Sequence, residues 1–268
     1  MCPLVSVVMN CFNGEKYLQF SLKSVLNQTY QNLEVIFWDN LSSDNSAKIV
    51  KNLKDKRIKY FRGDKFVNLY EARNLAIKKA KGDFITFLDT DDWWKKDKIE
   101  KQLQLYKMKE KKIDVIYSNC YLYNNKNKTK KLFVKNNLPE GNITKELIHN
   151  YRVALPTLFV NKRVFLKEKF NKKYNIIGDF DFVVRISQKN FFACIQEPLA
   201  FYRIHENNYS IKNLETYTLE LKEWIKDNKE NLKKKNISTK SLLVLIYKLK
   251  IKKILNFFKI KTQFFLGV

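Results

Sequence analysis

Over the first 120 residues, short β-branched apolar runs alternate with segments whose apolar positions recur at helical spacing. Val5–Met9 is the first such run, and the turn Asn10-Cys11-Phe12-Asn13-Gly14 follows it. From about Glu15 to Asn27, Leu18, Leu22, Val25 and Leu26 mark one face of a helix. Leu33–Trp38 reads as a second strand ending in Asp39-Asn40-Leu41-Ser42-Ser43-Asp44, where Ser43 or Asp44 caps a helix over about Asn45 to Leu53. A third strand at Ile58–Phe61, a helix from about Tyr70 to Lys79 and a strand at Phe84–Leu88 complete this half. Between Ile113 and Arg203 the pattern predicts strands at Ile113–Ser118 and Thr157–Val160, a polar loop at Asn124–Lys131 and a helix from Asp179 to Gln188. Beyond about Ile211, lysine-rich helices remain and the β signal fades.

Strand–helix repetition at this interval predicts an α/β fold, a mostly parallel central sheet flanked by helices on both faces. Ligands of such sheets bind outside the carboxyl ends of the strands. The turn Asn10–Gly14, Asp39 and the Asp89/Asp91 pair all lie at strand carboxyl ends and so converge on one rim. No repeat or flexible linker interrupts the chain, which divides into a main domain, residues 1–210, and a basic helical extension, residues 211–268.

The apolar strand Phe84–Leu88 ends abruptly in Asp89-Thr90-Asp91-Asp92-Trp93-Trp94, three carboxylates within four residues. Crowded anions raise one another's pKa unless positive charge sits among them. An oxygen-only cluster suits Mg²⁺ or Mn²⁺ with coordination positions left for phosphates. The same residues also read as a polar turn, with Asp92 capping a helix that starts near Trp93.

The length of 268 residues suffices for one large core, and 45% hydrophobic with 14% aromatic residues excludes a disordered chain. Lys and Arg number 52 against 27 Asp and Glu, a net charge of +25 that attracts any polyanion. Cys2, Cys11, Cys120 and Cys194 have neither metal-type spacing nor a disulfide framework, which predicts a reducing, cytoplasmic setting. The start of the chain runs straight into a strand without a basic leader, so no signal peptide is expected. The longest apolar run, Leu242 to Tyr247, is far short of the ~20 residues of a membrane-spanning helix.

Five segments in order carry a resemblance: Val5–Gly14, Ser24-Val25-Leu26-Asn27-Gln28-Thr29-Tyr30, Asp39–Asp44, Ala72-Arg73-Asn74 and Leu88–Asp92. Together they resemble the family 2 inverting glycosyltransferases with the GT-A fold, of the type that builds bacterial surface polysaccharides. The resemblance covers about 100 residues strongly and reaches about residue 210 through two weaker blocks. Where the family's first loop commonly reads Pro-Thr-Tyr-Asn, this chain has Asn10-Cys11-Phe12-Asn13, which keeps the aromatic ring and loses the hydroxyl.

The resemblance implies a nucleotide-sugar donor, a UDP-sugar foremost. Phe12 stacks on the base in that reading, a contact for which a flat aromatic face is suited. Asp39 accepts the ring N–H of uracil or thymine and repels the bare ring nitrogen of cytosine. Arg73 reaches base or phosphates through charge-assisted bonds. Asp89 and Asp91 match the family's Asp-x-Asp pair, with Asp91 the direct ligand of Mn²⁺ or Mg²⁺ and Asp89 near the ribose or the metal's waters. Asp92 starts the following helix. Ile176–Arg185 resembles the block that supplies the general base; the family often has Glu-Asp there, this chain Gly178-Asp179, so Asp179 is the match. A helix N-terminus favours its anion. Asp181, two residues on, contacts acceptor or structure. Tyr202-Arg203-Ile204-His205 resembles the segment that closes over the diphosphate, with His205 on the metal or a phosphate; His149 has no such context.

Lys240–Lys261 interleaves Leu, Ile and Phe with lysines, a composition suited either to an anionic membrane surface or to a helix packed on the domain. The expected setting is cytoplasmic, with peripheral contact on the inner face of the membrane. The expected acceptor is a cell-surface glycan or its lipid-linked precursor. Two rivals differ in class. A nucleotidyltransferase shares the acids and the Mg²⁺ but carries a glycine-rich phosphate loop, and this chain has six glycines in all. A nucleic-acid-binding protein fits the charge, yet the lysines are diffuse and form no recognition motif, so no nucleic acid is expected.

Overall fold

The computed structural model describes residues 2–109 and 113–257. Strand β1 (Val5–Cys11), helix α1 (Glu15–Leu26), β2 (Leu33–Asp39), α2 (Ser46–Asn52), β3 (Ile58–Arg62), α3 (Leu69–Lys79) and β4 (Phe84–Phe87) follow one another as the sequence predicts, within a residue or two. Then come β5 (Trp93–Trp94), α4 (Lys98–Met108), β6 (Val115–Asn124), β7 (Thr129–Leu132), α5 (Thr144–His149), β8 (Phe159–Asn161) and α6 (Lys162–Lys167). The chain continues through α7 (Gly178–Ser187), β9 (Phe192–Ile204), α8 (Tyr209–Lys212), α9 (Leu214–Lys234) and α10 (Lys240–Phe257).

The strands form one sheet in the order β3-β2-β1-β4-β8-β6-β9-β5, with β7 paired to β6. Its first four strands are parallel, and β8 then runs antiparallel to both β4 and β6. Every residue of β1 and β2 is buried, as a central parallel strand covered on both faces requires. Alternation sorts them: Val7 and Met9 face a core with Leu18 and Leu22, while Val8 faces the opposite core with Tyr70, Phe87 and Trp224. Register brings Cys11 beside Asp39 and Asp39 beside Arg62, so the ends of three strands share one rim.

The helix expected near Trp93 is absent. Trp93 and Trp94 instead pair antiparallel with Phe201 and Ala200, and the helix begins at Lys98. Asp92 therefore caps no helix; its side chain is buried. Residues of the expected extension reach the second core: Leu221, Trp224 and Leu232 of α9 and Leu242, Ile246 and Leu249 of α10 are buried there. The Trp224 indole N–H donates to Asp181 Oδ1 at 3.0 Å, and Arg185 Nε holds Oδ2 at 2.9 Å, so Asp181 is a structural acid. Lys259 and Lys261 of the predicted basic segment lie outside the described residues.

Two glycines are required by close approach. A Cβ on Gly14 would meet the Thr90 hydroxyl at 2.8 Å, and one on Gly178 would meet the Tyr70 ring at 2.5 Å. Tyr70 thus fills the volume that a glutamate preceding Asp179 would need. Gly178→Ala should cost about 1–3 kcal/mol of stability through overpacking, read as a lowered denaturation midpoint; an unchanged midpoint would show that the ring moves freely.

Candidate active site

The rim is laced together before any ligand enters. Asn13 N–H donates to Ser42 Oγ, and Ser43 N–H returns a bond to Asn13 Oδ1. Glu15 N–H donates to Asp44 Oδ2 while Asn45 N–H donates to Glu15 Oε2, so the starts of α1 and α2 cap each other reciprocally. These exchanges hold the β1–α1 and β2–α2 loops side by side, with Phe12 at the tip of the first.

Phe12 and Phe66 are both more than half exposed, and their rings meet edge to face at 4.8 Å. Phe12 is thus no core residue. Asp39 lies at the foot of this rim, fully buried, where Oδ1 accepts the Ser42 N–H at 2.7 Å. Its Oδ2 accepts the Tyr60 hydroxyl at 2.6 Å and Arg62 Nη1 at 3.1 Å. The Arg62 side chain is 48% exposed and so covers Asp39 from the solvent side. Tyr60, Arg62 and Phe66 were invisible as site residues in the sequence. Their only signal is position, on β3 and the loop after it, directly beside β2.

Arg73 is buried, not a surface arginine, and its Nη2 grips Asp89 Oδ1 at 2.7 Å beneath the rings of Tyr70 and Phe170. Burial works against its charge, but Asp89 more than compensates and holds the guanidinium firmly protonated. Asp91 turns the other way. Its Oδ2 meets His205 Nε2 at 2.8 Å, and its backbone carbonyl accepts Arg203 Nε at 2.7 Å. Asn207 N–H donates to His205 Nδ1, which places the ring proton on Nε2, aimed at Asp91.

Asp92 has a third fate. Its Oδ1 accepts the Arg203 backbone N–H at 2.8 Å, and its Oδ2 has no hydrogen-bond partner among the described residues. Burial, then Asp91 and Asp89, push its pKa well above the carboxylate range, so it keeps its proton. The Arg203 guanidinium lies between the faces of Tyr17 and Trp93, 4.4 and 4.5 Å from their centroids.

Across the rim, α7 presents Asp179 in its first turn. Asp179 Oδ1 accepts the Phe180 N–H at 2.8 Å and lies 3.4 Å from the Tyr70 hydroxyl. The N-terminal turn alone predicts a stabilised anion, but the balance runs the other way. Burial raises the Asp179 pKa, assisted by Asp89, and outweighs the opposing pull of Arg73 and of the Phe180 N–H. The result is a more basic carboxylate than an ordinary aspartate.

Among the described residues, no three His, Cys, Asp or Glu side chains form a ready metal cluster. The donor chemistry fits a sparser site. Asp91 and His205 supply one oxygen and one nitrogen side by side, and a hard cation held by one or two protein ligands completes its shell with phosphate and water. His205 can ligate through Nε2 only after its contact with Asp91 opens and the proton leaves that nitrogen.

The sheet order and the acid-bearing end of β4 define the GT-A class. Solved structures share that fold: S. aureus TarS 1-349 in complex with UDP-GlcNAc superposes with a TM-score of 0.66 at 20% identity, over 82% of this chain and 66% of that one. The mannosyltransferase PcManGT from Pyrobaculum calidifontis, in complex with GDP-Man and Mn²⁺, gives 0.62 at 14% identity, over 84% and 64%. The model of the Glycosyl transferase family 2 domain matches residues 6–170, more than half of the chain, which therefore belongs to that family.

An uncharacterized glycosyltransferase of Methanocaldococcus jannaschii is 32% identical over 213 residues, 77% of this chain and 73% of the relative. The Escherichia coli UDP-Glc:alpha-D-GlcNAc-diphosphoundecaprenol beta-1,3-glucosyltransferase WfgD is 40% identical over 122 residues, 46% of this chain and 47% of its own length. An uncharacterized glycosyltransferase of Haemophilus influenzae is 48% identical over 103 residues, 38% of this chain and 41% of its own. The matches thus span less than half the length of these last two relatives.

The raised Asp179 pKa carries a sign. A folded-state pKa above the unfolded one contributes stability at low pH that is lost as pH rises through the folded value. Asp179→Asn removes that loss, so its melting temperature relative to the unmodified protein should climb between pH 4 and pH 7. A constant difference across that range would remove the case for a raised pKa.

Proposed function

We propose that the chain is an inverting glycosyltransferase that moves a sugar from a UDP-sugar to a hydroxyl of a lipid-linked or cell-surface glycan. The supporting observation is the placement of Asp179: a half-buried, basic carboxylate on α7, facing the strand-end acids from across the rim. Residues 1–210 carry this chemistry, and residues 211–268 bring the chain to an anionic membrane surface where such acceptors reside.

In this reading the base stacks on the exposed face of Phe12, which Phe66 buttresses edge to face. Asp39 accepts the ring N–H of uracil. Arg62 swings aside to admit it, while Tyr60 and the Ser42 N–H keep the carboxylate aimed. One acceptor carboxylate oxygen suits a base that presents one ring N–H between two carbonyls. Arg73 holds Asp89 towards the ribose.

Asp91, with His205 after rearrangement, would hold Mn²⁺ or Mg²⁺ against the diphosphate. Such a cation neutralises the departing phosphate oxygens as a Lewis acid. Arg203 fixes this side by bonding to Asp91 and Asp92 through side chain and backbone at once. On the other side, Asp179 takes the proton from the acceptor hydroxyl as that oxygen attacks the anomeric carbon. The new C–O bond forms on the face opposite the breaking bond to the diphosphate, so a single displacement inverts the centre.

Two experiments test this. Calorimetric titration with Mn²⁺ present should show UDP binding more tightly than GDP or CDP, and Phe12→Ala or Phe66→Ala should cost about 1–3 kcal/mol, about 5- to 150-fold in Kd. Equal affinity for all three nucleotides would remove the base assignment. Asp179→Asn should lower kcat about 10²- to 10⁴-fold with UDP affinity unchanged. The acid limb of the unmodified enzyme should lie above the ~3.9 of an ordinary aspartate, since the base must be ionised and its pKa is raised. Near-normal transfer by Asp179→Asn would assign the base elsewhere.

A further inference from the structure

We infer that the outward face of α10 is the part of the chain that lies on the membrane, seated on anionic lipid headgroups. The inference rests on the reading that the chain works at such a surface and names the side chains that make the contact.

Helix α10 is apolar on two sides, and the domain uses only one. Leu242, Ile246 and Leu249 are buried in the core they share with α9 and α5. Rotation about the helix axis is fixed at both ends. Ser241 Oγ donates to the Ile148 carbonyl of α5 at 3.0 Å, and Lys253 Nζ pairs with Glu215 Oε2 of α9 at 2.8 Å. Lys253 therefore sits on the domain side, beyond the last buried leucine, and does not interrupt the outer face.

With the helix held so, Leu243, Val244, Tyr247 and Ile254 are each more than half exposed. Leu243, Tyr247 and Ile254 are spaced by four and seven residues, and Ile251, seven beyond Val244, fills the strip between them. The result is a continuous apolar stripe along three turns. A stripe of that kind on a folded surface marks a contact site.

Charge identifies what the stripe meets. Helix α10 contains no acidic residue, and Lys240 and Lys250 stand exposed beside the stripe, with Lys248 and Lys252 farther round. A second copy of this chain brings its own share of the +25 net charge against those lysines. An anionic bilayer offers hydrocarbon to the stripe and headgroup charge to the lysines together. Among the described residues no helix is long and apolar enough to cross a membrane, so α10 lies in the interface plane.

The test uses the full chain and co-sedimentation with phosphatidylcholine vesicles, with and without phosphatidylglycerol. The chain should bind the anionic vesicles, more weakly as salt is raised. Leu243→Gln/Tyr247→Gln/Ile254→Gln, which keeps helix-compatible residues at exposed positions, should bind about tenfold or more weakly. Its UDP affinity should be unchanged, which confirms an intact domain. If the unmodified chain ignores anionic vesicles, the membrane reading falls with the inference. If it binds and the triple variant binds as well, the stripe is overturned and the membrane reading stands. A dimer of the unmodified chain that the triple variant dissolves would assign the stripe to self-association and overturn the inference.

Discussion

Three carboxylates at the end of one buried strand repel one another, and the surroundings of β4 are organised around that repulsion. The solution is to give each acid a different partner. Asp89 is neutralised by a buried arginine, Asp91 is turned towards a histidine, and Asp92 is sealed in with its proton. Asp89 and Asp92 thus coexist through an ion pair and a retained proton, and Asp91 is the one whose partner is a histidine rather than an arginine. A cluster that looks uniform in sequence is differentiated by burial and by which arginine reaches it.

The two arginines come from opposite directions and do different work. Arg73 arrives from α3, and its charge is also felt at Asp179, where it moderates the effect of burial. Arg203 arrives from β9, the strand that pairs with Trp93-Trp94, and its backbone and side chain bind consecutive acids. Movement of β9 relative to β4 therefore disturbs Asp91 and Asp92 together with the loop carrying His205. The sheet edge and the acid cluster form one mechanical unit.

The parallel half of the fold was legible because local pattern and tertiary structure agree there. Fully buried strands read as continuous apolar runs, and α1 and α3 have one apolar face each. Prediction went wrong at Trp93-Trp94, where two residues become a strand only because Phe201 and Ala200, a hundred positions away, pair with them. Asp92 was misread with them, since a carboxylate after a strand is an ordinary helix cap unless a distant backbone N–H claims it. Arg62 and Phe66 escaped for a similar reason: neither belongs to a motif, and both gain their position from the register of β3 on β2. The motif drew attention to Asp179, but the direction of its pKa shift depends on burial, which no spacing reveals.

The contact between Gly178 and Tyr70 also ties two distant positions together. A side chain at 178 requires the ring at 70 to shift, yet that ring's hydroxyl also bonds the Ile176 carbonyl and stands beside Asp179. A smaller residue at 70 would make room at 178 and leave a cavity next to Asp179. The two positions are therefore coupled: the effect of a side chain at 178 depends on what stands at 70, and double substitutions there should not be additive.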